Sequence, residues 1–347
     1  MNSKEEMRGV QAGSDTSVQA TASNAATGKM SAASLGYFED RFLDVLAGDR
    51  MGGGPRRRLP PVMNRGNFAR VSCIERLVLD FLAARSASPG KGNLWTDGEG
   101  QSDHSTDKLA TQPAKKPQVI SLGAGKDSLY FRLTDKRNSP SGGYFEVDFD
   151  TVATWKTRLI AKTPALSTLT SDLYHLLAAD LRDVAALESA LRGAGVDFAA
   201  PTIFLAECVL VYMEPESSAA LLQWCALRFP DSLFAAYEMT SPADAFGQMM
   251  KQNIQGMGCL LPGLEPYPTL ASQEKRFNMA GWDSARASDM LTVFQEFLDR
   301  EEVQRVSKIE ILDEVEEWEL IMRHYCLVVA AKGQDAIARL GAMPLAR

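Results

Sequence analysis

Residues 118–128 read QVISLGAGKDS, and the fold class turns on how this stretch is understood. Val119-Ile120-Ser121-Leu122 has the length and apolar content of a short buried strand, and Gly123-Ala124-Gly125 turns sharply out of it. A strand ending on Gly-x-Gly opens a nucleotide-binding α/β unit: the strand aims the turn, and the glycines let a ligand approach the backbone. A second apolar run, Tyr144-Phe145-Glu146-Val147, ends on Asp148, 25 positions after Gly123. An acid at that distance can accept hydrogen bonds from both hydroxyls of a ribose. Gly-x-Gly by itself also fits an ordinary tight turn. The acid that closes the next strand favours the ligand.

Ser128 occupies the place of the third glycine in G-x-G-x-x-G. That weakens a dinucleotide reading, in which a closely packed helix presents its N-terminus to a pyrophosphate. A nucleoside ligand without phosphate, such as S-adenosylmethionine, does not need that arrangement. An NAD-dependent dehydrogenase would also call for a hydride-handling His or Lys, and none is obvious.

Working outward, strand and helix signals alternate. Leu173 to Ala179 reads as a third strand, though its flanks do not settle strand against helix, and it ends at Asp180-Leu181. Thr202-Ile203-Phe204-Leu205-Ala206 is the continuous apolar run of a central parallel strand and ends on Glu207. Glu214-Pro215-Glu216 opens a helix to about Phe229, and Leu233 to Tyr237 is the next strand. Phe246 to Gly258 reads as a helix over the site. Beyond it come a helix near 288–300, a strand near 303–312, a helix at 315–322 and a strand at 325–331. This pattern predicts an α/β fold: a doubly wound, mainly parallel, seven-stranded sheet of the S-adenosylmethionine-dependent methyltransferase type. N-terminal helices and a lid-like helical insertion complete it. In such sheets ligands sit beyond the carboxyl ends of the strands, where strand order reverses. Gly123-Ala124-Gly125, Asp148, Asp180-Leu181 and Glu207 all fall there. A single strand-end acid, Asp180 for instance, can be no more than a helix cap; four such places in register point to a site.

The flanks are less regular. Residues 1–28 are rich in Ser, Ala, Thr, Gly and Gln and read as a disordered tail, with order beginning near Lys29. Leu35, Phe38, Phe42, Leu43 and Leu46 recur at helical spacing, giving a helix over about 34–47 before a break at 48–61. A second helix, 71–84, carries an apolar stripe and places Arg70 at its start. An arginine there is an ordinary surface residue or a clamp for an anion. Residues 86–117 read as a flexible insertion inside a single domain spanning 29–333, with 334–347 as a tail.

Composition narrows the function classes. The net charge is −7 and the one dense basic run is Arg56-Arg57-Arg58, so there is no footprint for nucleic acid. Five cysteines stand without a C-x-x-C pair, which disfavours a metal site or disulfide framework and suits a reducing, cytoplasmic compartment. No signal peptide or membrane-spanning run is visible. Three histidines, at 104, 175 and 324, leave histidine-based chemistry poorly supplied.

NRGNFARV (64–71), VISLGAGKDS (119–128), YFEVDF (144–149), ADLRD (179–183), AECVLVYMEPE (206–216) and RHYCLVVAAKG (323–333) together resemble the leucine carboxyl methyltransferases. The resemblance covers about 29–333 and departs from the family's usual pattern in the long 86–117 insertion. It implies methyl transfer from S-adenosylmethionine to the C-terminal leucine carboxylate of the catalytic subunit of type 2A protein phosphatases. It further implies that Arg70 clamps the methionyl carboxylate, Gly123 approaches the cofactor, and Asp148 holds the ribose. Asp180 and Leu181 would bracket the adenine, and Glu207 would lie by the methionyl amino group. Lys29 would stand between the cofactor and target carboxylates, and Tyr212 would line the substrate pocket. The chain is expected to act as a monomer on a protein partner. The rivals are a small-molecule carboxyl or hydroxyl methyltransferase, a non-catalytic phosphatase-binding relative, and a relative acting on a modified wide guanosine of transfer RNA. That last relative normally carries a large extra repeat domain, for which this chain has no room.

Overall fold

The computed structural model describes residues 3–47, 58–86 and 115–334. The expected break at 48–61, the 86–117 insertion and the 334–347 tail fall wholly or mostly outside them.

Helices α1 (Ser3–Ser34), α2 (Leu43–Leu46) and α3 (Pro61–Ser86) precede β1 (Gln118–Leu122). Strands and helices then alternate through α4 (Leu129–Asp135), β2 (Tyr144–Asp148), α5 (Asp150–Lys162), α6 (Pro164–Ser167) and β3 (Tyr174–Ala178). They continue as α7 (Val184–Gly193), β4 (Thr202–Glu207), α8 (Pro215–Arg228) and β5 (Ser232–Met239). After α9 (Ala245–Gly256) and α10 (Leu270–Met279) comes β6 (Ser284–Asp289). Last are α11 (Met290–Thr292), α12 (Arg300–Val306), α13 (Val315–Arg323) and β7 (Tyr325–Lys332).

The strands form one seven-stranded sheet in the order β3-β2-β1-β4-β5-β7-β6. β1 to β5 are mutually parallel, and β7 inserts antiparallel between β5 and β6. Side chains alternate across the sheet, so β1 sends Val119 into the apolar layer with α3 and Ile120 and Leu122 into the layer with α7 and α8. A strand buried on both faces reads as a continuous apolar run, which is why the central strands were legible.

Chain order reverses between β1 and β4, and the register there is what builds the site. Leu122 pairs with Val147 on one side and Ala206 on the other. The next residues, Gly123, Asp148 and Glu207, therefore emerge side by side at one edge of the sheet.

Five expectations are corrected. Residues 3–28 are not a disordered tail but most of α1, whose Ala26, Lys29, Met30 and Ala32 are buried. Alanine favours helix, and small side chains let α1 lie close: a Cβ on Gly28 would come 2.8 Å from Asn67 Nδ2 of α3. The helix expected at 34–47 shrinks to α2, and the chain enters it through a turn in which Asp40 accepts hydrogen bonds from the Phe42 and Leu43 amides (2.9 and 3.1 Å). α3 begins ten residues earlier than expected, with proline at its first position, so Arg70 lies in mid-helix rather than at the start. The strand expected at 303–312 is α12 and a following turn; Asp299 accepts from the Glu301 and Glu302 amides, and that cap outweighs the β-branched residues. The sixth strand is instead Ser284–Asp289, whose polar sequence reflects an edge paired only with β7. Within the expected 288–300 helix lie the end of β6, α11 and a π-turn over Val293–Phe297.

Candidate functional site

A cavity of about 530 Å3 opens beyond the carboxyl ends of β1, β2, β3 and β4. Its volume is in the range of small-ligand sites. All eight residues singled out in the sequence line it: Lys29, Arg70, Gly123, Asp148, Asp180, Leu181, Glu207 and Tyr212. α1 forms one wall and α9 another, with Val18 of α1 packed in the cluster that holds Met250 and Ile254.

The floor is the β1 turn. Gly123 and Gly125 both take left-handed backbone angles (φ +64° and +51°), which only glycine adopts without strain. A Cβ on Gly123 would meet Val209 Cγ2 at 2.7 Å. Gly125 donates its amide to Asp148 Oδ2 at 2.6 Å, while Phe149 donates to Oδ1 at 2.8 Å. Burial raises the Asp148 pKa above the usual carboxylate value, and the two amides only partly offset it. A carboxylate offers about four acceptor positions, so acceptor capacity remains for a diol.

Beside this floor four charged side chains meet. Lys29 Nζ lies 3.0 Å from Asp127 Oδ1 and 3.2 Å from Glu207 Oε2. Arg70 Nε donates to Glu207 Oε2 at 2.5 Å, and its guanidinium stands 4.7 Å from the Tyr237 ring centre. Burial opposes the charges on Arg70, Glu207 and Asp127, but the partners win: Arg70 is pushed above, and Glu207 and Asp127 below, their ordinary pKa values. The quartet sums to zero charge while keeping two cations at the cavity wall.

Asp180 follows β3 and is gripped by its neighbour but one: Arg182 Nε contacts both carboxylate oxygens at 2.9 and 3.0 Å. Burial would raise the Asp180 pKa, but the Arg182 bonds leave it lowered. Arg182 also holds Asp15 of α1 in a two-bond pair at 2.9 and 2.8 Å. The acid expected at an adenine therefore also ties down the helix that roofs the cavity. Leu181 packs on the apolar layer of α7 and α8. Tyr212 ends a short 3-10 turn after β4, and burial raises its phenol pKa.

Three elements escaped the sequence reading. α1 was hidden by its polar, low-complexity composition. Asp127 lay inside the quoted QVISLGAGKDS but not at a strand end. Glu238, buried in β5, accepts hydrogen bonds from the Val209, Leu210 and Val211 amides (3.3, 2.9 and 3.1 Å) and so pins the loop after Glu207. That loop starts at Cys208 with φ +55°, a strained value for a side chain with a Cβ. Among the described residues no group of His, Cys, Asp and Glu could hold a metal ion, and no helix is long and apolar enough to cross a membrane.

The same chain is 34% identical over 338 residues to the leucine carboxyl methyltransferase 1 homolog of Arabidopsis thaliana, covering 93% of this chain and 91% of that protein. It belongs to the leucine carboxyl methyltransferase family. The family profile, described as leucine carboxyl methyltransferase, matches residues 103–226. Leucine carboxyl methyltransferase 1 of Bos taurus is 35% identical over 336 residues, 92% of this chain and 91% of that one. Human tRNA wybutosine-synthesizing protein 4 is 38% identical over 331 residues, 91% of this chain, but the chain spans only 44% of its length. Among solved structures, a DUF574 family protein of Streptomyces avermitilis matches with a TM-score of 0.50 at 14% identity, covering 78% of this chain and 86% of that one. At that identity the likeness speaks for the fold alone, the seven-stranded sheet with flanking helices described above. As a leucine carboxyl methyltransferase family member, the chain carries its glycine turn, strand-end acids and paired cations in a single cavity.

Proposed function

We propose that this leucine carboxyl methyltransferase family member transfers a methyl group from S-adenosylmethionine to the α-carboxylate of the C-terminal leucine of a type 2A protein phosphatase catalytic subunit. The observation that carries the reading is the convergence of Lys29 and Arg70 on Glu207 beside the Gly123 turn. Two cations suit two carboxylates, one on the cofactor and one on the substrate.

The cavity fits the cofactor. Gly123 and Gly125 leave the backbone bare where a nucleoside must pass, and Asp148 keeps free acceptor positions for the ribose. Asp180 and Leu181 would flank the adenine, with Asp180 sharing its oxygens between the base and Arg182. Glu207 would take the methionyl amino group, and Arg70 the methionyl carboxylate. When bound, S-adenosylmethionine supplies the sulfonium methyl that the substrate carboxylate takes up.

The chain's own task is alignment. A C-terminal carboxylate has an ordinary pKa of about 3.5, so it is already the nucleophile at neutral pH and needs no base. Among the described residues that line the cavity none is histidine. Lys29 orients that carboxylate as a point charge, without the two-bond grip of an arginine that would quench it. Tyr212 and the apolar α9 wall exclude water, which strengthens the nucleophile. Holding the reacting atoms about 3 Å apart then accounts for much of the acceleration.

The test is transfer of label from S-adenosylmethionine to the phosphatase subunit, intact and lacking its terminal leucine. Label that appears only on the intact subunit and is released by base as an ester supports the reading. Cofactor binding without label on either substrate overturns the substrate assignment. A second reading, methyl transfer to a modified guanosine of transfer RNA, is favoured by the 38% identity to tRNA wybutosine-synthesizing protein 4. Label in transfer RNA instead of protein would select it. We further propose that the chain works as a cytoplasmic monomer, checked by light scattering and by fractionation.

A further inference from the structure

Asp127 is the fourth member of the charged quartet and stands at no strand end. Its backbone is fixed at both sides. The amide donates to Ala124 O at 2.9 Å, closing the β1 turn. The carbonyl accepts from Lys156 Nζ at 2.7 Å. Lys156 is fully buried and paired at 2.6 Å with Glu146, which also accepts from Tyr174 Oη at 3.1 Å. An ion pair so deep in the sheet layer has little freedom, so the Asp127 peptide is held like part of the sheet.

From this fixed backbone the Asp127 carboxylate reaches Lys29 Nζ at 3.0 Å, 98 residues away on α1. Lys29 has Glu207 on its other side, at 3.2 Å. Glu207 already accepts from Arg70. With Glu207 as its sole partner, the Lys29 ammonium would be drawn to the acid that the cofactor's amino group must share.

We propose that Asp127 is a positioning residue that holds the Lys29 ammonium between two carboxylates, so that the cation serves the incoming substrate carboxylate instead of collapsing onto Glu207. The role rests on the methyl-transfer reading above. It also sets the charge of the site. Removing Asp127 leaves the quartet at +1, which disfavours a cofactor that itself carries a net positive charge.

A double-mutant cycle tests it, with Lys29→Met, which keeps the aliphatic stem, and Asp127→Asn, which keeps the shape. Asp127→Asn alone is expected to lower kcat/KM for methyl transfer by about 10–100-fold, the scale of an ångström-level misplacement. In the Lys29→Met background the same change should cost less than about threefold, because a residue acting through Lys29 has nothing left to position. Losses that multiply across the two sites would show an independent structural role and overturn the proposal. Should Asp127→Asn fail to fold, Asp127→Glu displaces the same charge by one methylene and is read by the same rule. If the wild-type protein methylates no phosphatase, the methyl-transfer reading fails separately. The cycle is then read in S-adenosylmethionine dissociation constants, where additive losses again overturn the role of Asp127.

Discussion

Arg70 Nε stands 2.5 Å from Glu207 Oε2, although 137 residues separate them in the chain. α3 delivers the cation and the end of β4 delivers the anion, and the Tyr237 ring lies against the guanidinium. Burial works against both charges; Glu207 holds Arg70 charged, while Lys29 together with Arg70 holds Glu207 ionised. A site assembled in this way is sensitive to the loss of either partner.

Arg70→Ala leaves a buried carboxylate with one cation in place of two. Breaking a buried pair outright costs about 3–5 kcal/mol, and Lys29 offsets part of that, so a loss of about 2 kcal/mol in stability is expected. S-adenosylmethionine affinity should fall by roughly tenfold or more, as for a lost hydrogen-bonded ion pair. Denaturant unfolding together with calorimetric binding decides the point, and an unchanged dissociation constant would remove Arg70 from the cofactor's site.

Gly123→Ala places a Cβ 2.7 Å from Val209 Cγ2 on a backbone of positive φ. The combined strain should destabilise the fold by about 1–2 kcal/mol and obstruct the cofactor. Adding Val209→Ala relieves the clash but not the φ strain, so it should recover only part of the thermal midpoint. Full recovery would mean that the left-handed geometry is not needed.

Glu238 gives a pH dependence with a defined sign. Burial raises its pKa to about 7 in the folded protein, against the ordinary 4.5, despite three amide donors and the nearby Arg276. A carboxyl with a raised folded pKa contributes stability below about pH 4.5 that is lost as pH rises through about 7. Glu238→Gln abolishes this dependence. Between pH 5 and 8 the wild type should therefore lose about 2 kcal/mol more stability than the variant. Urea unfolding at the two pH values measures it, and parallel pH profiles would show that Glu238 is not displaced.

Asp15→Ala cuts the Asp15–Arg182 pair that ties α1 across the cavity to Asp180. The pair is partly exposed, so its contribution is about 1 kcal/mol or less. That is enough to speed S-adenosylmethionine release by up to roughly fivefold and to increase protease cleavage within residues 15–28. Stopped-flow release and limited proteolysis read the two effects independently. Unaltered kinetics would show that α1 does not gate the cavity.

The strand-end residues were legible because their positions are local consequences of chain pattern. Gly123, Asp148 and Glu207 each follow an apolar run of β length, and parallel pairing in register then brings them together. The central strands announced themselves by burial on both faces, whereas β6, a polar edge strand, carried no such signal. The β-branched residues at 303–312 misled for the opposite reason, since a cap at Asp299 and pairing elsewhere decided that segment.

The sequence by itself determined the sheet's core, the glycine turn and the acids at its rim. These depend on hydrophobic periodicity and on residues with special backbone freedom, both of which act over a few positions. Only the tertiary structure decided that α1 is a wall of the site, that Arg70 projects from mid-helix, and that Asp127 shares Lys29 with Glu207. Those facts depend on contacts between residues about 100 to 180 positions apart. Such contacts arise when helices dock on a finished sheet, and no local pattern in the chain encodes them.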